Sequence, residues 1–239
     1  MRPMTGSSLR VEFVGEVYEL DPDATFTIGR EADLVIDDAN PFLHRHFLTL
    51  RHENGLWWLV NAGATLTATI SDPDGAMQAW LAPGAALPIV FATTTVWFTA
   101  GATTYDFTIV APDAAFAPVP APLAQPDGSL TLGRVTLTPD QKLLLVALAE
   151  SVLRRGDRGA GTIPPTAAAA SRLGWPVTKF NRKLDNVCAK LSTLGVRGLH
   201  GGPSALASGR RARLVEYAVA SRLVTPDDLA LLPGQPAGA

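Results

Sequence analysis

Two sets of residues in this 239-residue sequence have the types and spacing that chemistry requires. The larger is cationic. Lys179, Arg182, Lys183 and Lys190, with Asn186 among them, fall on one side of a segment of helical period. Arg210, Arg211 and Arg213 follow close behind. Clustered ammonium and guanidinium groups neutralise phosphates, so duplex DNA is one expected partner; an ordinary solvated Lys/Arg face on a helical bundle is the competing expectation. The smaller set is imidazole. His44-x-His46 places two nitrogen ligands on one strand face, but no acid or thiol in the sequence completes a metal site. Cys188 is the single cysteine, which excludes an intramolecular disulfide. Next to Val187 on an apolar stripe, it is expected to be a packed thiol and not a nucleophile. Gly29-Arg30 and Gly133-Arg134 are neither glycine-rich nor followed by Lys-Ser/Thr, and Gly-x-Ser-x-Gly does not occur. The expectation is a non-enzyme with no cofactor and no metal.

The elements that hold these residues divide the chain in two. The formal net charge is −2, but residues 1–127 hold 5 Lys+Arg against 15 Asp+Glu, a balance of −10. Residues 128–239 hold 15 against 7, a balance of +8. The period changes with the sign. Residues 8–110 read as short strands, among them Leu9 to Val14, Val17 to Leu20, Phe26 to Ile28, Phe47 to Leu50, Trp57 to Val60, Val96 to Thr99 and Tyr105 to Val110. Asp, Gly, Asn and Pro punctuate the gaps between them, as in Glu53-Asn54-Gly55. That pattern predicts an all-β sandwich. Gly75 to Tyr105 is free of charge, yet Pro83-Gly84 and Pro88 interrupt it, so buried strands are expected there and not a membrane span. Residues 111–128 carry five prolines between Pro112 and Pro126 and read as a semi-stiff linker. The start of the chain lacks the pattern of a signal peptide. With few cysteines, this suggests a cytoplasmic protein, and Arg over Lys by 16 to 4 suggests a bacterial one.

Residues 129–232 switch to helical period. Thr138-Pro139-Asp140 is a helix start, with a hydroxyl cap, proline at the first position and an acid at the positive end of the dipole. A loop is expected over Gly156–Pro165, a short helix over Thr166–Leu173, and a long one from Pro176 to Gly195. In the long helix Val177, Phe180, Leu184, Val187, Leu191 and Leu194 form one apolar stripe. A short strand or hairpin is expected at Leu130–Leu137. Val196 to Leu199, His200-Gly201-Gly202-Pro203, and Gly209 to Val219 read as a two-stranded wing carrying the three arginines. Taken together, residues 130–219 resemble a winged helix-turn-helix, similar to bacterial transcription-factor output domains.

The N-terminal half carries a second resemblance. Phe26-Thr27-Ile28-Gly29-Arg30, Asp33-Leu34-Val35-Ile36, Asn40-Pro41-Phe42-Leu43-His44-Arg45-His46-Phe47 and Trp58-Leu59-Val60-Asn61-Ala62-Gly63 resemble, in order and spacing, the forkhead-associated (FHA) domain. The resemblance covers residues 8–110. It implies a sandwich whose loops bind phosphothreonine through charge-assisted hydrogen bonds. Arg30 matches the family's arginine, His44 stands where its phosphate-binding serine sits, and Arg45 matches the basic residue that follows. The family's Asn-Gly-Thr, due near Leu66-Thr67-Ala68, is missing, and Asn61 matches only the residue at the preceding strand end.

These readings lead to a regulatory or adaptor protein. Its sandwich docks a partner protein, either through phosphothreonine at Arg30, His44 and Arg45 or without it, and its basic domain docks DNA or protein. The alternative is a scaffold in which both domains bind proteins within an assembly and the opposite charges promote self-association of copies.

Overall fold

The computed structural model describes residues 8–75, 77–112, 114, 135–154, 159–196, 198–199 and 207–234. In chain order its strands are β1 (Leu9–Phe13), β2 (Glu16–Leu20), β3 (Phe26–Gly29), β4 (Leu34–Val35), β5 (Leu48–Glu53), β6 (Leu56–Asn61), β7 (Ala68–Ser71), β8 (Gln78–Leu81), β9 (Ala86–Ile89), β10 (Thr93–Ala100), β11 (Thr103–Val110) and β12 (Ala160–Thr162). The helices are α1 (Pro139–Arg154), α2 (Thr166–Arg172), α3 (Val177–Thr193) and α4 (Ala207–Ala220), followed by a 3-10 helix over Pro226–Leu231.

The strands form two facing sheets, one ordered β2-β1-β11-β10-β7-β8 and the other β4-β3-β5-β6-β9. Pairing is antiparallel apart from β3 with β4. Asn54 and Gly55 both have positive φ, the geometry of the two-residue turn that joins strands of right-handed twist, here β5 to β6. Alternation along β10 sends Val96, Phe98 and Ala100 into the sandwich, all fully buried. There Phe98 meets Phe47 edge-on at 4.9 Å and stacks on Tyr105 at 5.3 Å. Trp57 is buried, while its neighbour Trp58 is partly exposed and donates to Glu53 O, as alternation along β6 requires.

In the helical half α1 is the central element, with Leu144, Leu145, Val146, Leu148 and Ala149 fully buried. Its start is a reciprocal capping box. Gln141 N–H donates to Thr138 Oγ1 (3.3 Å), and Thr138 N–H donates to Gln141 Oε1 (3.0 Å). The stripe predicted for α3 packs on α1 through Phe180, Leu184, Val187 and Leu191, while Val177 and Leu194 at its ends are exposed. Cys188 is buried beside the stripe, and burial raises its thiol pKa despite Arg210. Trp175 packs on Phe180 at the corner between α2 and α3.

Three features differ from the sequence expectations. The predicted loop over Gly156–Pro165 contains β12, which pairs with the N-terminal part of β11 beyond the end of β1. Gly161 makes this possible, because a Cβ there would lie 2.7 Å from Val152 Cα of α1. The predicted arginine-bearing hairpin is instead the helix α4. Ala212, Val215 and Ala218 bury at helical spacing against the other helices, and the opposite side of α4 lies on β10 and β7. Of the strand or hairpin expected at Leu130–Leu137, residues 135–137 are not in a strand, and residues 130–134 lie outside the described residues. The linker, apart from residues 111, 112 and 114, and the loop His200–Pro203 lie outside the described residues.

The two halves therefore share a boundary. The outer face of β7 and β10, with Thr69, Trp97 and Thr99, lies under α4, so β7 is buried on both sides. Glu216 of α4 is 2% exposed there. It accepts from Thr69 Oγ1 and, at 3.4 Å, from Thr99 Oγ1, and it pairs with Arg213. Arg213 also donates to Thr69 Oγ1 (2.6 Å) and lies over the ring of Trp80 at 4.8 Å.

Candidate functional site

The residues matched to a phosphate pocket come together at one end of the sandwich, and the backbone explains why. β3 ends at Gly29, where a Cβ would lie 2.2 Å from Arg45 O and 2.8 Å from His44 O. Only hydrogen at that position lets the 44–45 loop come so near. The approach is fixed by two bonds, Arg30 N–H to His44 O (2.9 Å) and Glu31 N–H to Arg45 O (3.0 Å). Arg30 and Arg45 thus leave adjacent backbone segments on the same side.

The loop between them is anchored from below. Asn40 Nδ2 donates to Ala100 O (3.1 Å) and to Tyr105 Oη (2.8 Å), and its Oδ1 accepts from Phe42 N–H (3.0 Å). Tyr105 donates to Asp37 Oδ2 (2.5 Å). Burial, with the Asp37 carboxylate beside it, pushes the Tyr105 phenol up to about 12, although the bond from Asn40 pulls the other way. On the β3 side Asp33 receives the Thr27 hydroxyl (2.7 Å) and the Thr27 N–H (2.8 Å). These bonds hold its carboxyl below the ordinary carboxylate value.

At the surface of the corner the Arg30 side chain is 25% exposed and that of Arg45 is 68% exposed. Arg30 Nε is buried with no hydrogen-bond partner. Glu31 joins the two arginines through Oε1, 3.2 Å from Arg45 Nε and 3.7 Å from Arg30 Nη2. His44 is used differently from a phosphate donor. Its Nε2 accepts from Ala64 N–H (3.1 Å) and lies 3.2 Å from Thr65 Oγ1, while its ring stacks on Phe47. Accepting an amide proton requires an unprotonated Nε2, so the ring proton is assigned to Nδ1, which is buried with no hydrogen-bond partner. Asn61 is fully buried. It ties the chain together through Leu66 O and Leu81 O (both 2.8 Å) and Gly63 N–H (3.0 Å). Phe42, next to the corner, is 66% exposed.

The cations proposed for nucleic acid do not form one open surface. Lys179 lies over Trp175 at 3.9 Å, and both Lys179 (3.7 Å) and Lys183 (3.1 Å) pair with Asp140 of α1. Lys190 donates to Thr136 O. Arg210 donates to Asp185 (2.7 Å) and to Cys188 Sγ (3.1 Å). Arg211 reaches Thr166 Oγ1 (3.2 Å), and burial lowers its pKa. Arg213 is at the sheet boundary with Glu216. Arg182 and Asn186 are exposed on α3. Among the described residues no group of three or more His, Cys, Asp or Glu could hold a metal ion, and no helix is long and apolar enough to cross a membrane.

The residues that sequence reasoning missed are those that complete the corner: Glu31, Thr27 with Asp33, and Tyr105 with Asn40. Asn40-Pro41 signalled a turn, but nothing in the sequence signalled its tyrosine partner 65 positions away.

Comparison with protein-family descriptions and with curated proteins returns no match. Among solved structures, the chain is similar to the crystal structure of Rv1747 FHA-1 from Mycobacterium tuberculosis. That alignment has 16% identity and a TM-score of 0.34, covering 45% of this chain and 98% of that one. It is also similar to the solution structure of the FHA domain of an Arabidopsis thaliana hypothetical protein. There the identity is 16% and the TM-score 0.36, covering 50% of this chain and 96% of that one.

Proposed function

We propose that this chain is a docking adaptor whose sandwich binds a protein partner at the Arg30–Arg45 corner, with phosphothreonine as the group recognised. The observation that carries the reading is the convergence of the two arginines, fixed by the close approach at Gly29 and the bonds of Arg30 and Glu31 to the 44–45 loop. A phosphate dianion is the ligand that two neighbouring guanidinium groups fit best, through parallel charge-assisted hydrogen bonds. His44 acts in this reading as a clamp for Ala64 and Thr65 and not as a phosphate donor. The helical half is a second docking surface, carried at a fixed position by β12 and α4. The test is retention of a degenerate phosphothreonine peptide library by the full chain. Preference for phosphorylated over unphosphorylated peptides, lost on Arg30→Ala or Arg45→Ala, is expected. Equal retention of both, unmoved by either change, overturns the reading.

A second reading, contact of α3 with duplex DNA, is favoured by the glycine-containing turn between α2 and α3 and by exposed Arg182. Against it stands the use of Lys179, Lys183, Lys190, Arg210 and Arg213 in internal contacts. Titration with random duplex at several salt concentrations decides. DNA contact requires a steep loss of affinity with salt, flattened by Arg182→Ala/Lys183→Ala.

A further inference from the structure

Glu31 is an acid placed between the two cations of the proposed phosphate site. Its backbone N–H is bonded to Arg45 O at 3.0 Å, and its Oε1 lies against both guanidinium groups, at 3.2 Å from Arg45 and 3.7 Å from Arg30. The position of the carboxylate is thus set by the same backbone contact that brings the arginines together. We propose that Glu31 is an intramolecular occupant of the anion corner. A phosphorylated partner binds by displacing it, and the cost of displacement, common to every anion, sets a threshold of affinity that a phosphate dianion passes and a carboxylate does not. This inference rests on the phosphothreonine reading above and concerns how that site is regulated.

The physical argument is one of competition between tethered and free anions. A carboxylate attached next to the site has a high effective concentration there. An aspartate or glutamate of a partner exchanges one monoanion for another and gains little against it. Phosphothreonine brings close to two negative charges and three acceptor oxygens, so it meets both guanidinium groups more fully than Glu31 does. Displacement is feasible because the Glu31 side chain is 57% exposed, and exposed ion pairs hold only weakly. His44 Nε2 offers no replacement donor, since it already accepts from Ala64 N–H. Discrimination between anions therefore falls on the two arginines, and Glu31 sets how tightly an anion must bind them to enter.

The experiment uses the full chain and fluorescence anisotropy with three degenerate peptide pools, one with phosphothreonine, one with threonine and one with glutamate at the fixed position. Glu31→Gln is compared with wild type and with Asp38→Asn, a neighbouring exposed acid that gives the same change in net charge. Losing two exposed pairs is expected to tighten binding of the phosphothreonine pool about three- to tenfold in Glu31→Gln. The same variant should acquire measurable binding of the glutamate pool, while Asp38→Asn stays within about twofold of wild type. If Glu31→Gln and Asp38→Asn behave alike, net charge explains the effect and the occupancy of the corner by Glu31 is overturned. In that case the phosphothreonine reading stands, provided wild type prefers the phosphorylated pool and Arg30→Ala does not. If every protein holds the three pools equally, both the reading and the proposal fall.

Discussion

Arg213 and Glu216 stand one turn apart on α4, and their ion pair lies at the boundary with the first sheet, where the glutamate is 2% exposed. Thr69 of β7 and Thr99 of β10 complete the bonding of the carboxylate, and Trp80 of β8 covers the guanidinium. A charged pair in this position does not in itself make the fold more stable, because removal of both charges from water offsets most of their attraction. What it does is fix which face of α4 meets the sheet. A helix placed at another rotation loses the bonds of Thr69 and Thr99 to the carboxylate, and removal of one partner alone leaves the other charge buried without compensation.

That asymmetry gives the first prediction. Arg213→Ala leaves Glu216 without its cation and is expected to cost about 3 kcal/mol in urea unfolding. The double change Arg213→Met/Glu216→Leu, which removes both charges and keeps the volume, is expected to recover most of that loss. A single change within about 0.5 kcal/mol of wild type means that α4 does not close on the sheet in solution.

The same glutamate and a second one give stability opposite dependences on pH. Burial raises the Glu216 carboxyl above the ordinary value, and Arg213 and the threonines only partly counter it. Its folded pKa therefore exceeds its unfolded one, so its contribution is complete below about pH 4 and is lost as pH rises through the folded value. Glu150 of α1 behaves in the reverse way. Burial alone would raise it, but bonds from Arg172 (2.8 Å) and Arg154 (3.0 Å) hold it below the ordinary value. Its contribution is present above the ordinary carboxylate range and is lost as pH falls through the folded value. Urea midpoints across the acidic to neutral range test both signs. Glu216→Gln should flatten the decline toward neutral pH, and Glu150→Gln should flatten the decline at the acid end.

The elements legible in the sequence were those whose pattern depends on one neighbour. The capping residue Thr138, the α3 stripe around Phe180 and Leu184, and the alternation of Val96 and Phe98 each answer to a single apolar face. Elements that answer to two faces were misread or missed. β7 buries Thr69 and Ser71 as well as Ala68 and Ile70, because α4 covers its outer side, so no alternation is visible. Arg213-Leu214-Val215-Glu216 suits strand or helix equally by period. The polar face of the sheet, which receives Arg213 and Glu216, decides for helix. At the candidate site Arg30 and Arg45 were legible through the FHA resemblance. Glu31 was not, because adjacency to Arg30 in sequence says nothing of its approach to Arg45.

Gly29 is where sequence, backbone and site depend most on a single atom. Gly29→Ala brings a Cβ to 2.2 Å from Arg45 O, and backbone must move to relieve it. The expected cost is about 1–3 kcal/mol, with displaced amide resonances for Arg30 and Glu31, whose N–H groups bond the same loop. Gly209→Ala is the contrasting change, since nothing lies within 4 Å of a Cβ there and the residue is inside α4. It is expected to stabilise by up to about 1 kcal/mol. Equal effects at the two positions would mean that the close approach at Gly29 is not present in solution.

Tyr105 is the link between the core and the loop that carries the arginine corner. Its ring stacks on Phe98, and its hydroxyl joins Asp37 and Asn40, whose side chain in turn holds Ala100 O and Phe42 N–H. With its phenol at about 12, Tyr105 stays protonated through the range in which ordinary tyrosines ionise. Ultraviolet titration should therefore show an absorbance step near pH 12 that is missing in Tyr105→Phe. The substitution keeps the ring and removes the hydroxyl, leaving Asp37 Oδ2 without its donor, though Ala39 N–H still bonds Oδ1, and Asn40 without one acceptor. A cost of about 1–2 kcal/mol is expected. Because the loss falls on the 37–42 segment, backbone amides of Phe42 to Arg45 should exchange with solvent faster, while those of β5 and β6 should not. Uniform acceleration across the sandwich would instead assign Tyr105 to global stability alone, with no particular part in holding the loop.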